Sequence, residues 1–493
     1  MRNNVVINKK YMLTESSVQL EAVSVTAEKI EARTETKTSV VNITPKTITK
    51  IPTVGGQADL AQYLQVLPGV VFTGDQGGQL YIRGGSPIQN KVLLDGMIVY
   101  NPFHSIGLFS VFDTDIIRNA EIYTGGFGSE YGGRVSSVMD ITTRDGNKKR
   151  ISGKIGATTF GSKVMVEGPL KKAKDLDDTS ISFILSAKNS YLEQTSKSIY
   201  KGILDGEVLP YNYQDVYGKV SLNTSNGSKI NLFGFNFKDN VNNYKSISDF
   251  GWTSYGGGTN FVIIPGKSPV LVEGNIAYSN YDAVMRETNN PDRSSSIDGF
   301  NAGFNFTYFL GRHTLKYGIE MLGFKTVFDY TKTNGIHLNY TDNTTELGIY
   351  AKFRMQFDKL ILEPGMRVHW YASLAEISPE PRLSLKYNVN DWFRIKAAGG
   401  FYSQNLIAAN SDRDVVNLFY GFLSGQDNIP STFDGKEVKS KLQKAIHYIL
   451  GTEFDVMQNI SLNIEGYYKD FRQLTNMNRN QLYAENDAPA GTE

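Results

Sequence analysis

The larger, C-terminal part of the chain alternates apolar and polar residues with a period of two. From Ile151 onward, segments of about ten residues place aromatic or aliphatic side chains at every second position and small or polar ones between them. Residues 300–308 and 347–357 are clear examples. A strand with this pattern has one apolar face and one polar face. The pattern therefore predicts an extended antiparallel sheet that separates an apolar from a polar environment.

The two faces of this sheet can be assigned residue by residue. We expect the following side chains to point toward lipid: Phe304, Phe306, Tyr317, Ile319, Ile349, Phe353, Val368 and Trp370. Asn305, Glu320, Lys352 and Arg367 should point inward. A shift of one residue in any strand would exchange its two faces.

The strands are joined by short turns, as at Gly311 and Asp358-Lys359, and by long polar insertions, predicted at residues 238–261 and 405–437. Short turns at one end and long loops at the other are typical of outer-membrane β-barrels. The pattern gives about 14 strands, against roughly 22 in plugged transporters. The last residues, LYAENDAPAGTE, are polar and do not read as a strand. We therefore expect an incomplete barrel in this chain, which reads as a fragment of a larger protein.

A compact, glycine-rich unit precedes the strands. Asp59, Tyr63, Val66 and Leu67 have helical spacing, and Pro68-Gly69 should end that helix. Short strands follow, among them a hairpin with Asp-Gly at positions 95 and 96, a dipeptide that favours tight turns. The predicted organisation is an N-terminal extension (1–39), a mixed α/β plug domain (40–145) and a partial transmembrane β-barrel (146–493).

Composition narrows the class of protein. The 493 residues carry a net charge of +1, so no basic surface for nucleic acid is indicated. The 28 tyrosines and 27 phenylalanines suit the aromatic girdles of a membrane barrel, although a soluble β-sandwich remains open on composition alone. With no cysteine, disulfides and thiolate sites are excluded. No apolar run reaches the roughly 18 residues of a membrane helix.

Catalytic and cofactor motifs are not found. The spacing of the glycines between Gly125 and Gly133 fits neither of the nucleotide-binding motifs GxxxxGK[ST] and GxGxxG. No serine-nucleophile motif is present. The five histidines are scattered singly and form no pair with metal-ligand spacing: His104, His313, His337, His369 and His447. We therefore expect a protein that is not an enzyme and that holds neither a cofactor nor a metal.

Four motifs carry a family resemblance. They are LQVLPGV (64–70), YIRGG (81–85), VLLDGMIV (92–99) and EIYTGGFGSEYGGRVSSVMDITTR (121–144), in the family's order and spacing. On these motifs the chain resembles the TonB-dependent outer-membrane receptors, especially forms common in the Bacteroidetes. Ser136-Ser137 stands where many members have glycine-type residues, and both termini look cut.

The resemblance implies a plug inside a barrel, in the outer membrane of a Gram-negative bacterium. It implies energy-coupled uptake of a nutrient, such as a siderophore, glycan or peptide, into the periplasm. The implied partners are a TonB-type protein of the inner membrane, outer-membrane lipid and an extracellular ligand. A surface lipoprotein is a further candidate partner. The alternatives are a non-transporting adhesin or assembly protein on the same fold, and a soluble extracellular β-rich binding protein.

Arg83 is the candidate plug–barrel clasp. A guanidinium in a narrow lumen needs a carboxylate, because an unpaired buried charge is costly. The resemblance implies Arg–Glu clasps, and the polar strand faces offer Glu320, Glu363, Glu453 and Glu465. A solvated surface arginine is the alternative.

Residues 20–27 (LEAVSVTA) are the candidate coupling segment. An exposed β-branched stretch before a charged linker suits strand addition to a partner sheet. The family has a short box in this place, which here would comprise Glu21, Val23, Val25 and Thr26. The segment could equally be a connector from an upstream β-domain.

The loop after the Asp95 hairpin is the candidate ligand site. Within five residues it carries two aromatic rings, an amide and an imidazole, which belong to Tyr100, Asn101, Phe103 and His104. Small-molecule pockets use such groups to hold and orient a ligand. Packing of the loop against the barrel wall is the alternative.

Overall fold

The computed structural model describes residues 34–475, except for residues 74–77, 174–177, 201–207, 245–247, 267, 289, 332–334, 336, 410–418, 425–431, 434 and 458–459. This part of the chain forms a small mixed sheet with helices and a 15-stranded antiparallel sheet. Residues 34–145, which contain the small sheet, are called the plug below, and the large sheet is called the barrel sheet.

The plug is built from short elements because glycine, proline and Asp-Gly pairs interrupt its sequence. Its elements are β1 Val40–Ile43, α1 Pro45–Ile48, α2 Leu60–Leu64, β2 Val70–Thr73, β3 Gln79–Ile82, β4 Asn90–Leu94, β5 Met97–Ile98, β6 Ile117–Tyr123 and β7 Ser137–Thr143. Short 3-10 turns lie at Val54–Gly56 and Pro87–Gln89. The main sheet has the order β1-β6-β7-β4-β5, with β4 and β7 parallel.

The predicted helix at Asp59 forms but is shorter than its spacing suggested. Asp59 Oδ1 accepts a hydrogen bond from the backbone amide of Ala61 at 2.8 Å and so caps α2. After Leu64 the chain tightens, because the amides of Val66 and Leu67 donate to carbonyls three residues earlier. The apolar spacing therefore continues through a turn that is no longer α-helical.

The barrel sheet is a meander in which strands that follow each other in the chain pair, except that β20 pairs with β25. The elements after the plug are β8 Ser152–Ala157, β9 Gly161–Lys171, β10 Ser180–Ser190, α3 Leu192–Ser198, β11 Tyr211–Asn223, β12 Lys229–Tyr244, β13 Ser248–Ile263, β14 Val270–Glu287, β15 Arg293–Leu310, β16 His313–Thr331, β17 His337–Gln356, β18 Leu360–Tyr371, a 3-10 turn Ala372–Leu374, β19 Glu376–Asn388, β20 Phe393–Gln404, β21 Ile407–Ala408, β22 Phe422–Leu423, β23 Thr432–Phe433, β24 Lys436–Glu437, β25 Gln443–Met457 and β26 Ile460–Gln473. The sheet runs from β8 to β20 and then through β25 to β26.

Connections at the two ends of the barrel sheet differ in length. At one end, here called the short-turn end, β15 and β16 are joined by residues 311–312 and β17 and β18 by residues 357–359. At the other, long-loop end, residues 405–442 join β20 to β25. Within this connection β21 pairs with β22, and we call residues 407–409 and 419–424 the cover hairpin.

Side-chain exposure agrees with the predicted faces. Phe304 is 39%, Ile349 55% and Trp370 46% exposed, whereas Arg367 is fully buried. The register places Phe304 opposite Ile319, and Ile319 opposite Ile349, so the apolar side chains form continuous rows. The inner face is lined by polar side chains and, on β11 to β14, also by buried aromatic ones such as Phe237 and Trp252, and the plug packs against it.

The predicted outer insertion at residues 238–261 is wrong for most of its length. Residues up to Tyr244 belong to β12, and residues from Ser248 onward belong to β13. These strands have 16 residues each, longer than the 9–11 or so that cross a bilayer. Their extra residues are polar because they extend beyond the apolar band, so polarity alone did not distinguish strand from loop.

Among the described residues, no helix is long and apolar enough to span a membrane.

The face assignment can be tested with single cysteines, since the chain has none. In membranes, a lipid-phase thiol reagent should label cysteine at Phe304 and Ile349. It should spare cysteine at Asn305 and at Tyr350, which is 3% exposed and donates a hydrogen bond to Asn305. Labelling of the second pair but not the first would show that the register is shifted by one residue.

Candidate functional site

The contact surface between the plug and the barrel sheet begins at the Asp95-Gly96 turn. Both residues have positive φ, 51° and 88°, as the tightest hairpin turn requires. Side-chain amides of Asn260, Asn275 and Asn301 donate to the two turn carbonyls at 2.8–3.1 Å. Three adjacent strands therefore hold one plug hairpin by its backbone.

The Asp95 carboxylate adds a second anchor at the same turn. It accepts hydrogen bonds from the amide of Thr143 at 3.0 Å and from the hydroxyl of Tyr217 at 2.6 Å. Lys219 of β11 lies 3.4 Å away, and both charged side chains are 1% exposed. Asp95 thus joins two plug strands to the barrel wall, which is a docking role.

Arg83 lies beside Glu465 of the four predicted glutamates. Its Nη2 is 2.7 Å from Glu465 Oε2, and the two side chains are 9% and 10% exposed. Ser39 completes the group, because its hydroxyl donates to Glu465 at 2.7 Å and accepts from Arg83 at 2.9 Å. The guanidinium also lies over the ring of Tyr467, 4.5 Å from its centre. Arg83 directly follows the last residue of β3 and has a φ of 48°. The direction of its side chain is therefore set by the turn at the end of the strand, not by the alternation of side chains along the strand.

The other three glutamates pair with cations that the sequence reasoning did not assign to them. Glu320 contacts Lys91 of the plug and Arg367 of β18, each at 2.6 Å. Glu363 lies 3.2 Å from Lys352. Glu453 contacts Arg394 at 3.3 Å and Lys396 at 2.5 Å, both on β20. Of the three, Glu320 is the one whose ion pair reaches the plug directly.

Lys91 and Glu130 are plug charges that sequence analysis missed. Burial lowers the pKa of Lys91, with Glu320 acting in the opposite direction. Burial would raise the pKa of Glu130, but Lys352, 2.9 Å away, outweighs it and lowers that pKa to about 2. Glu130 lies in the fourth motif and Lys91 directly precedes the third, but nothing in a one-dimensional pattern shows which barrel residue each would meet.

His104 does not face an open ligand site, which differs from the expectation. Its ring is fully buried, with Nδ1 2.9 Å from Asp239 and Nε2 2.9 Å from Asp215. The ring stacks on Tyr213 at 3.9 Å. Burial would lower the pKa of His104, but the two carboxylates outweigh it and raise the pKa to about 9. With Lys188 3.1 Å from Asp215, two cations balance two carboxylates.

The other three residues of the predicted ligand loop line a cavity. Tyr100, Asn101 and Phe103 form one side of a space of about 40 Å³, and Tyr420 and Phe422 of the cover hairpin form part of the other. Tyr100 and Phe103 are 8% and 2% exposed, so the loop also packs. The packing role is thus present at this loop, and the binding role stays a prediction. We call this space the apical cavity.

The predicted coupling segment, residues 20–27, lies outside the described residues. The described chain that follows it is attached to both units near the short-turn end. Glu35 lies 2.6 Å from Arg354 of β17, and Lys37 lies 2.7 Å from Glu121 of the plug. We call residues 35–39 the strap, since they end at Ser39 of the Arg83 group.

We predict that Glu465→Gln loosens the plug. Removing one partner of a buried ion pair should lower the free energy of plug unfolding by about 3 kcal/mol, because Arg83 stays buried without its carboxylate. Calorimetry of the purified protein measures this. Glu437→Gln, at an exposed site, is the matched control. An equal and negligible effect of both changes would mean that Arg83 is in effect solvated.

We predict that stability conferred by His104 depends on pH. Its folded pKa of about 9 lies above the ordinary 6.5, so the contribution is complete below pH 6.5 or so and is lost as pH rises through about 9. The unfolding temperature of the plug should fall between pH 6.5 and 9.5 in the unmodified protein, and much less in His104→Gln. His337→Gln, an exposed histidine, is the control. Parallel pH curves for the His104→Gln variant and the unmodified protein would contradict this assignment.

Comparison with known proteins agrees with this architecture. Residues 23–137 match the family model described as TonB-dependent Receptor Plug Domain. Residues 174–487, more than half of the chain, match the model described as TonB dependent receptor-like, beta-barrel. No curated protein matches the chain significantly in sequence.

Solved structures with the same fold are distant in sequence. The siderophore receptor PirA from Pseudomonas aeruginosa is 14% identical with a TM-score of 0.61, over 87% of this chain and 74% of that one. The outer membrane transporter YddB from Escherichia coli is 14% identical with a TM-score of 0.60, over 87% and 69%. The FrpB iron transporter from Neisseria meningitidis is 12% identical with a TM-score of 0.62, over 89% and 72%. With its plug, its antiparallel barrel sheet and both family matches, the chain belongs to the TonB-dependent receptors, which are outer-membrane proteins of Gram-negative bacteria.

Proposed function

We propose that this receptor moves a nutrient from the cell surface into the periplasm, driven by a TonB-type protein of the inner membrane. The observation that carries the proposal is the chemistry of the plug–barrel contact. The plug is attached through ion pairs and hydrogen bonds at the Asp95 turn, at Lys91 and at Arg83. Polar contacts of this kind are found where parts of a protein move relative to each other.

The strap supplies a route for the pulling force. A pull on the N-terminal segment would reach Glu35 and Lys37 first and then Ser39, which bonds to both Arg83 and Glu465. Removing Ser39 from this group would leave the Arg83–Glu465 pair more exposed to water. Force on the strap would thereby weaken one plug–barrel attachment near the short-turn end, where we place the periplasm.

The apical cavity is the proposed entry site for ligand. It lies at the long-loop end of the plug, beneath the cover hairpin, with four aromatic side chains in its lining: Tyr100, Phe103, Tyr420 and Phe422. Two of the similar structures, PirA and FrpB, are by name a siderophore receptor and an iron transporter. For this chain we retain a siderophore, glycan, peptide or similar nutrient as the substrate, with a surface lipoprotein as a further partner. No enzymatic step is proposed.

Residues 20–27 are the proposed docking segment for the TonB-type partner, centred on Glu21, Val23, Val25 and Thr26. Strand addition requires backbone amides, and proline has none. The double change Val23→Pro and Val25→Pro should reduce uptake to background while ligand binding at the cell surface is unchanged. Lys29→Pro, in the charged linker, is the matched control.

Uptake is measured in a receptor-deficient host as the accumulation of radiolabelled ferric siderophores, oligosaccharides and peptides. Each class is tested with and without a protonophore. The proposal expects accumulation of one class that the protonophore and the double proline variant both abolish. Surface binding without accumulation of any class, in the unmodified protein, would contradict transport and favour an adhesin on the same fold.

A further inference from the structure

A row of polar side chains crosses the outer surface of the barrel sheet where its apolar face ends. On β15 the outward side chains are apolar over residues 300–310, which matches the roughly 9–11 residues of a strand that crosses a bilayer. Asp298 is the next outward residue toward the long-loop end. The strand register places Asn280 of β14 and Lys325 of β16 on either side of Asp298. With the long-loop end outside the cell, this row lies at the headgroup level of the outer leaflet.

Two carboxylates lie together in this row. Asp282 is the next outward residue of β14 after Asn280, and the register makes it a diagonal neighbour of Asp298 on the same face. The two carboxylates interact electrostatically, and like charges so placed destabilise a sheet. Within the described part of the chain neither carboxylate forms an ion pair, and Lys325 also stays outside ion-pair distance of Asp298. A cation from outside the chain would remove this repulsion.

The side chain of Asn280 brings a neutral oxygen to the two acids. Asn280 is only 6% exposed, although it belongs to the outward face. Its amide interacts with the Asp282 carboxylate, while its Oδ1 is buried without a hydrogen-bond donor. Withdrawing an amide oxygen from water without a partner is unfavourable. An oxygen in this state beside two carboxylates is suited to serve as a third ligand of a cation.

We propose that Asp282, Asp298 and Oδ1 of Asn280 bind a hard divalent cation, Ca²⁺ or Mg²⁺, which joins the barrel wall to a phosphate of an outer-leaflet lipid. Carboxylate and amide oxygens are the ligands that these ions prefer. Ca²⁺ takes roughly 6–8 oxygen ligands, so three protein side chains leave coordination positions open toward the headgroups. Lys325, beside Asp298, would contact the same phosphate. This site lies on the outer wall and is separate from the proposed transport path.

Luminescence of Tb³⁺ measures cation binding to the purified full chain in detergent after treatment with EDTA. The ring of Tyr255, which lies opposite Asn280 in the register, has its centre 6.5 Å from that of Tyr278, so excitation of tyrosine should sensitise Tb³⁺ at this site. The unmodified protein should give saturable luminescence that Ca²⁺ displaces. Asp298→Asn and Asn280→Leu should each weaken Tb³⁺ binding by about tenfold or more. Asp249→Asn, at an exposed position of β13, is the matched control and should have no effect.

Retention of a diphosphorylated glycolipid, and of the same glycolipid without its phosphates, tests the bridge to lipid. Native mass spectrometry counts the lipids bound to the protein in Ca²⁺ and in EDTA. Ca²⁺ should increase retention of the phosphorylated lipid severalfold and leave that of the other lipid unchanged. In Asp282→Asn/Asp298→Asn, retention should no longer depend on Ca²⁺. Lys325→Gln should lower retention of the phosphorylated lipid and leave Tb³⁺ binding intact.

Equal Tb³⁺ affinity of Asp298→Asn and the unmodified protein, with both folded as judged by heat-modifiable migration, would overturn the cation site. Equal retention of the phosphorylated lipid in Ca²⁺ and in EDTA would overturn the bridge to lipid. Because neither assay requires uptake, loss of energy-coupled transport with intact cation binding would count against the proposed function alone.

Discussion

A charge buried between the plug and the barrel sheet must find a partner, and this requirement organises the contact between them. Lys91 enters a lumen where Glu320 and Arg367 already face each other, and its ammonium completes that group. Glu130 does the same for Lys352. Breaking one such buried pair costs about 3–5 kcal/mol, whereas each pair contributes little net stability when intact. These polar contacts fix the position of the plug beside the apolar contacts, such as that of Phe112 with Phe237, that it also makes with the barrel sheet.

The two ends of this contact differ in a way that fits transport. Near the short-turn end, Ser39 links the strap to Arg83 and Glu465, so tension on the chain acts on an ion pair. Near the long-loop end, Arg134 stands beside a cavity with its Nε lacking an acceptor. The proposed function assigns release to the first end and ligand entry to the second. His104, held between Asp215 and Asp239, is a further buried contact between the plug and the barrel sheet.

Much of the architecture could be predicted from the sequence because alternation and turn chemistry are local. Ile349 and Trp370 face outward as the period of two requires, and the Asp95 turn has the backbone angles that its sequence favours. The partner of Arg83 could not be chosen among four glutamates, because the stagger of the strands relative to the plug is a property of the assembled fold. For the same reason His104 was assigned to a ligand site: its two aspartates lie more than 100 residues away. The coupling segment stays a prediction.

The central claim, that the plug must move within the barrel for transport, is tested most directly by a covalent tether. The Cβ of Ser129 in the plug lies 3.4 Å from the position that a Cβ at Gly365 of β18 would occupy, close to the roughly 3.5–4.5 Å of a disulfide. The chain contains no other cysteine to interfere. In Ser129→Cys/Gly365→Cys, the oxidised protein should bind ligand at the surface but not accumulate it, and reduction should restore uptake. Full uptake with the disulfide shown intact by mass spectrometry would contradict the account.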